Sequence, residues 1–251
     1  MPAAACLLVH GFGGAPFEML PVAEVLASAG YAVSVPTLPG HAATVEQWSR
    51  TRWSDWLACV SAEYERLSAA HGKVFALGLS MGGSLCLALA QRYRVAGVAV
   101  IAAPVYLYRF LPPQATDWRL PLTGILKKFR PIWPRSAKKR ESRIIAPWQG
   151  YEEAVALEPL HSFLRTLPGL RRNLGKITSP LLAVHSPLDQ FVPFGNLWEI
   201  AGRVQSPVRR AVVLTIRERV TKHHILTTHL ETRETVGRLC VEFVKEVDAT
   251  G

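Results

Sequence analysis

Short, near-continuous apolar runs alternate along this chain with longer stretches whose apolar residues recur at helical spacing. The runs fall at residues 4–9, 31–35, 74–79, 95–103, 180–185 and 209–215. Runs this short and this uniformly apolar predict strands covered on both faces. Between them, residues 17–29, 53–71, 81–93, 194–204 and 230–247 carry the helical period, and Gly30 and Gly72 stop the first two. Six strands alternating with helices predict an α/β fold, a doubly wound, mostly parallel sheet with helices on both faces.

The rhythm breaks once. After Ala103-Pro104 there is no clean strand–helix alternation until about Asn173, and Pro112, Pro113, Pro121, Pro131, Pro134 and Pro147 cluster among aromatic and basic residues. That composition suits short helices and loops rather than a further sheet strand. The expected organisation is a core of residues 1–104 and 174–251 with a cap inserted over 105–173.

Composition narrows the class. With 251 residues and 49% hydrophobic content, the chain can bury a sizeable core and is not of the disordered type. Its apolar runs stop short of the roughly 18 residues that a membrane span requires. The start, Met1-Pro2-Ala3-Ala4-Ala5-Cys6, lacks a basic leader and runs straight into a glycine-rich loop, so it reads as a strand and not a signal peptide. Cys6, Cys59, Cys86 and Cys240 lie far apart without a C-x-x-C pair, which fits buried, reduced thiols and a cytoplasmic location. The net charge of +10 invites an anionic partner.

The candidate chemistry sits at strand ends. Gly78-Leu79-Ser80-Met81-Gly82 joins an apolar run to a helical stretch. Strand, sharp turn and helix is the setting in which G-x-S-x-G forms a nucleophile elbow. The glycines leave room, Ser80 is strained and raised clear of the sheet, and the Met81 N–H faces a developing oxyanion. His10-Gly11-Phe12-Gly13-Gly14 follows the first strand and is of the type that supplies a second oxyanion donor, assigned to the Phe12 N–H. Asp189 follows the run 180–185, whereas Asp55, Asp117 and Asp248 fall in a helix, the cap and the tail. A serine needs a base, and a carboxylate behind a histidine fixes its tautomer. His223, His224 and His229 all compete for the base. No carboxylate or thiol stands near them at zinc-like spacing, so no metal is expected. His10 is assigned to hydrogen-bonded support of its loop, while His41, His71, His161 and His185 carry no functional reading.

Taken together, His10–Gly14, Pro39-Gly40-His41, Gly78–Gly83, Asp189 with Val192-Pro193, and His224-Ile225-Leu226-Thr227 make the chain resemble the α/β-hydrolase family of small bacterial carboxylesterases and monoacylglycerol lipases. The resemblance spans nearly everything outside the cap. It implies a Ser80, Asp189, His224 triad in that family's chain order, with His224 rather than His223 as base, the N–H groups of Phe12 and Met81 as oxyanion hole, and no cofactor. Lys222 stands where the family usually has Ser, and Ala42 where it usually has Gly. The implied activity is hydrolysis of carboxylic esters, of short- to medium-chain acyl groups or monoacylglycerols. Acyl transfer on the same machinery and a non-catalytic binding role on the same fold are the alternatives. Residues 127–143 carry eight Lys and Arg against Glu141, with Phe129, Ile132 and Trp133 interleaved. This reads first as a solvated face over a small apolar cap core, and second as a surface for peripheral contact with anionic membranes. No nucleic-acid-binding motif accompanies the charge.

Overall fold

The computed structural model describes residues 4–110, 113–115 and 117–250; Pro112 of the proline cluster lies outside them. Six strands form one sheet: β1 (Ala4–Val9), β2 (Ala32–Ser34), β3 (Lys73–Leu79), β4 (Gly97–Ile101) and, after a long connection, β9 (Leu181–His185) and β10 (Arg209–Val213). Their order is β10-β9-β4-β3-β1-β2, and every pairing in it is parallel.

Why the runs become strands is visible in β1. Ala5, Leu7 and Val9 belong to the core on one face, and Ala4, Cys6 and Leu8 to the core on the other. The period of two therefore feeds two cores, which a helix cannot do with a continuous apolar run. Helices α1 (Leu20–Ser28) and α9 (Arg233–Thr250) pack together over one face through Val22, Leu26, Val236, Cys240 and Phe243. Helices α3 (Trp53–Ala70), α4 (Met81–Ala90) and α8 (Gly195–Arg203) cover the other with Trp56, Leu57, Leu85, Leu89, Leu197 and Ile200. A short helix, α2 (Val45–Ser49), was not expected. It starts at a Thr44/Gln47 capping box, in which each side chain satisfies the other residue's amide.

The sheet order reverses direction between β1 and β3. That is the switch point where a crevice opens beyond the carboxyl ends of the strands. The His10–Gly14 loop leaves β1 there and Ser80 leaves β3 there.

The β4–β9 connection differs in part from the expected short helices and loops. It holds two antiparallel pairs outside the main sheet, β5 (Tyr108–Phe110) with β6 (Pro113–Ala115) and β7 (Ile132–Pro134) with β8 (Ala154–Ala156). It also holds α5 (Thr123–Phe129), α6 (Arg140–Ile145) and a 16-residue helix, α7 (Leu157–Arg172). Helix α7 buries Leu157, Phe163, Leu164, Leu167 and Leu170. Pro159 falls in its first turn, where a missing N–H costs nothing, and Pro168 is carried inside the helix. Among the described residues no helix is long and apolar enough to cross a membrane.

The turn after β3 depends on two glycines. A Cβ on Gly82 would lie 2.1 Å from the Val9 carbonyl oxygen, and one on Gly78 would lie 2.4 Å from the backbone of Gly82. Gly82→Ala is therefore expected to cost about 3 kcal/mol or more, because backbone cannot give way as a flexible side chain can. Urea denaturation measures this, and a midpoint equal to that of the unsubstituted protein contradicts it.

Candidate functional site

Ser80 occupies the turn with φ 54° and ψ −124°, a left-handed conformation that side chains avoid. Its amide donates to the Ile101 carbonyl (2.8 Å), and its carbonyl accepts from Ser84 N–H (3.1 Å). These bonds tie the strained residue to β4 on one side and to the first turn of α4 on the other. The Oγ is left facing the crevice.

Three of the residues singled out from the sequence meet there. Ser80 Oγ lies 2.9 Å from His224 Nε2, and His224 Nδ1 lies 2.7 Å from Asp189 Oδ2. With Nδ1–H donating to the carboxylate, Nε2 is free to accept the serine proton. The Asp189 carboxylate is buried, and both of its oxygens are engaged. Oδ1 takes the N–H groups of Phe191 (2.8 Å) and Val192 (2.9 Å), and Oδ2 takes His224; His185 Nε2–H, shared with the Val192 carbonyl (3.2 Å), lies 3.3 Å from Oδ2. Burial pushes its pKa up, but the charge of His224 and the bonds from His185 and His224 outweigh that and hold it at about 2. The carboxylate is thus an anion throughout the neutral range.

His223 points elsewhere. It adopts φ 52°, and its Nε2–H donates to the Glu218 carbonyl (2.7 Å). His229 Nε2 reaches the Glu218 carboxylate at 3.1 Å, which also takes the Thr221 hydroxyl and amide. Glu218 therefore ties down the loop that presents His224. Burial opposes its charge, yet the hydrogen bonds from Thr221 and His229 bring its pKa to about 2. The sequence reading missed Glu218, which has no local signal: its partners come from the irregular loop that follows it.

The Phe12 and Met81 peptide groups belong to the two segments that flank Ser80. The Phe12 segment is held by two histidines. His10 Nε2 accepts from Leu38 N–H (3.2 Å) while Nδ1–H donates to the Gly11 carbonyl (3.0 Å), and His41 Nε2 accepts from Gly13 N–H (3.0 Å) while Nδ1–H donates to the Pro39 carbonyl (3.2 Å). Each ring must be neutral to accept in this way. Burial lowers His10 to about 4; burial and the neighbouring His10 lower His41 to about 3. The loop-supporting place expected of His10 is the one it occupies. His41, given no role from the sequence, shares the task.

The two departures from the family pattern are visible here. Ala42 takes φ 52°, a conformation glycine adopts freely. Lys222 reaches across to Gln190, donating to its side-chain oxygen at 2.8 Å, while its carbonyl accepts from Gln190 N–H.

Above Ser80 lies a cavity of about 690 Å³. Its apolar lining includes Leu107, Leu120, Leu126, Leu157, Leu160 and Phe163, all but Leu107 from the α5 and α7 region, and Glu18, Asp117, Arg119, Arg135, Lys138, Glu152 and Lys222 add charge. Apolar and charged side chains thus share the walls of a space large enough for a small organic molecule. Among the described residues no three His, Cys, Asp or Glu side chains gather so as to hold a metal ion.

The alpha/beta hydrolase family profile matches residues 6–231. The chain is 30% identical over 240 residues to the thermostable monoacylglycerol lipase of Bacillus sp. (strain H-257), covering 95% of this chain and 90% of that protein. It is 26% identical to a carboxylesterase of Bacillus subtilis (strain 168), over 97% of this chain and 93% of that one. In fold it is similar to a structure of the metagenome-derived lipolytic enzymes LipS and LipT, with TM-score 0.83, 23% identity and coverage of 97% and 94%. It is also similar to a soluble variant of the monoglyceride lipase of Saccharomyces cerevisiae, with TM-score 0.79, 14% identity and coverage of 98% and 87%.

The two neutral histidines make stability depend on pH. Their folded pKa values lie below the ordinary histidine value near 6.5, so the unfolded chain binds protons that the folded chain refuses. Their contribution is complete above about pH 6.5 and is lost as pH falls towards about 4 for His10 and about 3 for His41. The urea midpoint is expected to drop clearly between about pH 7 and about pH 4.5. The drop is expected to be smaller in His41→Asn, whose side chain gains no proton, and an equal drop in the two proteins contradicts the neutral assignment.

Proposed function

The chain belongs to the alpha/beta hydrolase family and is a lipase/esterase-type hydrolase, and from this and the geometry above we propose that it cleaves carboxylic esters through an acyl-enzyme on Ser80. One observation carries the reading: the continuous hydrogen-bonded line from Ser80 through His224 to Asp189 at the switch point of the sheet. His224 takes the serine proton as Oγ attacks the acyl carbon. The buried Asp189 anion orients the ring and stabilises the imidazolium. The N–H groups of Phe12 and Met81 receive the negative charge that develops on the carbonyl oxygen, Met81 with the help of the N-terminus of α4. His224 then protonates the leaving alcohol and activates the water that frees the acid. No cofactor enters these steps.

The β4–β9 connection serves as a cap over residues 105–173, and its apolar residues line the acyl side of the cavity. Substrates of short to medium acyl length, monoacylglycerols among them, suit a space of about 690 Å³. Four free thiols, three of them buried, suit the reducing conditions of a cytoplasmic enzyme.

The cap also supports a contact with lipid. Its aromatic and aliphatic residues do not all fold inward: Phe129 is 82% exposed, Trp118 74%, Phe110 73% and Ile125 61%. Leu122, Ile125 and Phe129 fall at helical spacing around α5, and Lys128, Arg130, Lys139 and Arg140 are exposed nearby in sequence. Other basic residues of the run are engaged, Lys127 with Glu158 and Arg143 with Glu152. Exposed apolar side chains with exposed cations close by in the chain fit the headgroup region of an anionic bilayer.

Ser80→Ala is expected to keep the far-UV circular dichroism of the unsubstituted protein and to lose nearly all turnover of a short-chain aryl ester. His224→Ala is expected to lower turnover by about 10³-fold or more, and His223→Ala by far less. Near-normal turnover in Ser80→Ala refutes the mechanism, and a dead His223→Ala with an active His224→Ala refutes the assignment of the base.

Co-sedimentation with vesicles checks the lipid contact. Binding should rise with the anionic fraction, weaken with salt, and fall when Lys128, Arg130, Lys139 and Arg140 become Gln. Equal, negligible binding to neutral and anionic vesicles leaves the run as a solvated face.

A further inference from the structure

Glu18 is a carboxylate that the mechanism above does not use, and it lies against the groups that the mechanism depends on. It sits in a 3₁₀ turn, Pro16–Met19, where an acid would ordinarily face water, yet it is 2% exposed. Its side chain folds back beneath the loop after β1. Oε2 accepts the Gly11 N–H at 2.6 Å, and Oε1 accepts the indole N–H of Trp148. The loop is shaped around it: a Cβ on Gly14 would lie 2.3 Å from Oε1. A Cβ on Gly11 would lie 3.1 Å from Oε2 and 3.4 Å from Cβ of Ser80, so the carboxylate and the serine sit on either side of one small residue.

Gly11 is thereby held from both sides. Its amide is fixed by Glu18, and its carbonyl accepts from Gly14 N–H (3.2 Å) and from His10. The next peptide N–H along the chain is that of Phe12, so its direction follows from the way Gly11 is pinned. Trp148, on the other oxygen, belongs to a stretch joined to the same region. Tyr151 N–H donates to the Gly13 carbonyl (2.9 Å), and the Thr228 hydroxyl donates to the Pro147 carbonyl (2.6 Å).

We propose that Glu18 is a positioning residue for ester hydrolysis, its carboxylate aiming the Phe12 amide at the oxyanion and fixing the Trp148 stretch of the cap over Ser80. The proposal rests on the Ser80 reading above. The two bonds it makes are charge-assisted only while it is ionised; a protonated acid weakens both.

Burial works against that charge and raises Glu18 to about 7, in spite of the bonds from Gly11 and Trp148 and the attraction of His224 and Lys138. Lys138 comes from the cap, with its ammonium 4.1 Å from the centre of the Trp148 ring. It is itself surrounded by Glu152, Arg135 and Arg143. Lys138 therefore helps keep Glu18 ionised, and its removal should shift the Glu18 titration upward.

The experiment compares kcat and KM for a short aryl ester, from about pH 5 to about pH 9, in the unsubstituted protein, Glu18→Gln, Lys138→Met and Ser80→Ala. Glutamine keeps one acceptor but turns a donor toward the other N–H. We expect kcat of Glu18→Gln to fall about 10- to 100-fold at alkaline pH with KM changed less than about threefold. The acid limb of kcat/KM should be steeper in the unsubstituted protein than in Glu18→Gln, by the proton that Glu18 takes up. In Lys138→Met the limb should move to higher pH. Unchanged kcat and unchanged slope in Glu18→Gln overturn the proposal. Should Glu18→Gln fail to fold, Lys138→Met decides, and an unmoved acid limb there overturns it. An active Ser80→Ala overturns the serine reading instead, and an inactive Ser80→Ala beside a normal Glu18→Gln overturns only the role of Glu18.

Discussion

The contact between Gly82 and the end of β1 is the constraint on which the rest of the site depends. With no side chain at Gly82, α4 starts directly against the Val9 and His10 carbonyls. That close approach forces the chain to turn sharply at Ser80, whose left-handed backbone costs about 1–3 kcal/mol by itself. Bonds from Ser80 to Ile101 and Ser84, and the buried surroundings of β3 and α4, hold it there. The same approach brings the loop after β1 beside the start of α4. The proposed nucleophile and both proposed oxyanion donors are therefore placed by one packing event, and the parallel order of the sheet sets that event at its switch point.

Around this turn charge is set by burial weighed against the neighbouring charges and hydrogen bonds that each group meets. Asp189 accepts four contacts and stays ionised with a pKa of about 2. Glu18 accepts two, and burial raises it to about 7. His10 and His41 are held neutral by burial, and each ring accepts a backbone N–H. The outcome is one fixed anion behind the proposed base, two neutral rings behind the Phe12 loop, and a single acid whose charge changes in the range where an esterase works.

What could be read from the sequence was local. The strands announced themselves because β1, β3, β4 and β9 are apolar on both faces, and Gly78-Leu79-Ser80-Met81-Gly82 carries its turn within five residues. Asp189 and His224 could be ranked because each follows a strand or matches a short segment of the resemblance. The less legible parts depend on approach between distant segments. Glu18 meets Trp148 across 130 positions, and His41 meets Gly13 across 28. His185 is four residues from Asp189, but it looked like the last residue of a strand, and nothing in the sequence turned its ring back to the carboxylate. Helix α7 had its period in plain view at Leu157, Leu160, Phe163, Leu164, Leu167 and Leu170, but Pro159 and Pro168 obscured it. The basic run read as one block, whereas the structure divides it among ion pairs, the cavity wall and the outer face.

A covalent ester between Ser80 and the acyl group can be weighed directly. The protein is mixed with an activated short-chain ester, quenched in acid within the first turnovers, digested, and analysed by mass spectrometry. An acyl mass is expected on the peptide that contains Ser80, and it should be lost on longer incubation before the quench. Turnover with that peptide unmodified, or with the acyl group on another residue, contradicts the acyl-enzyme on Ser80.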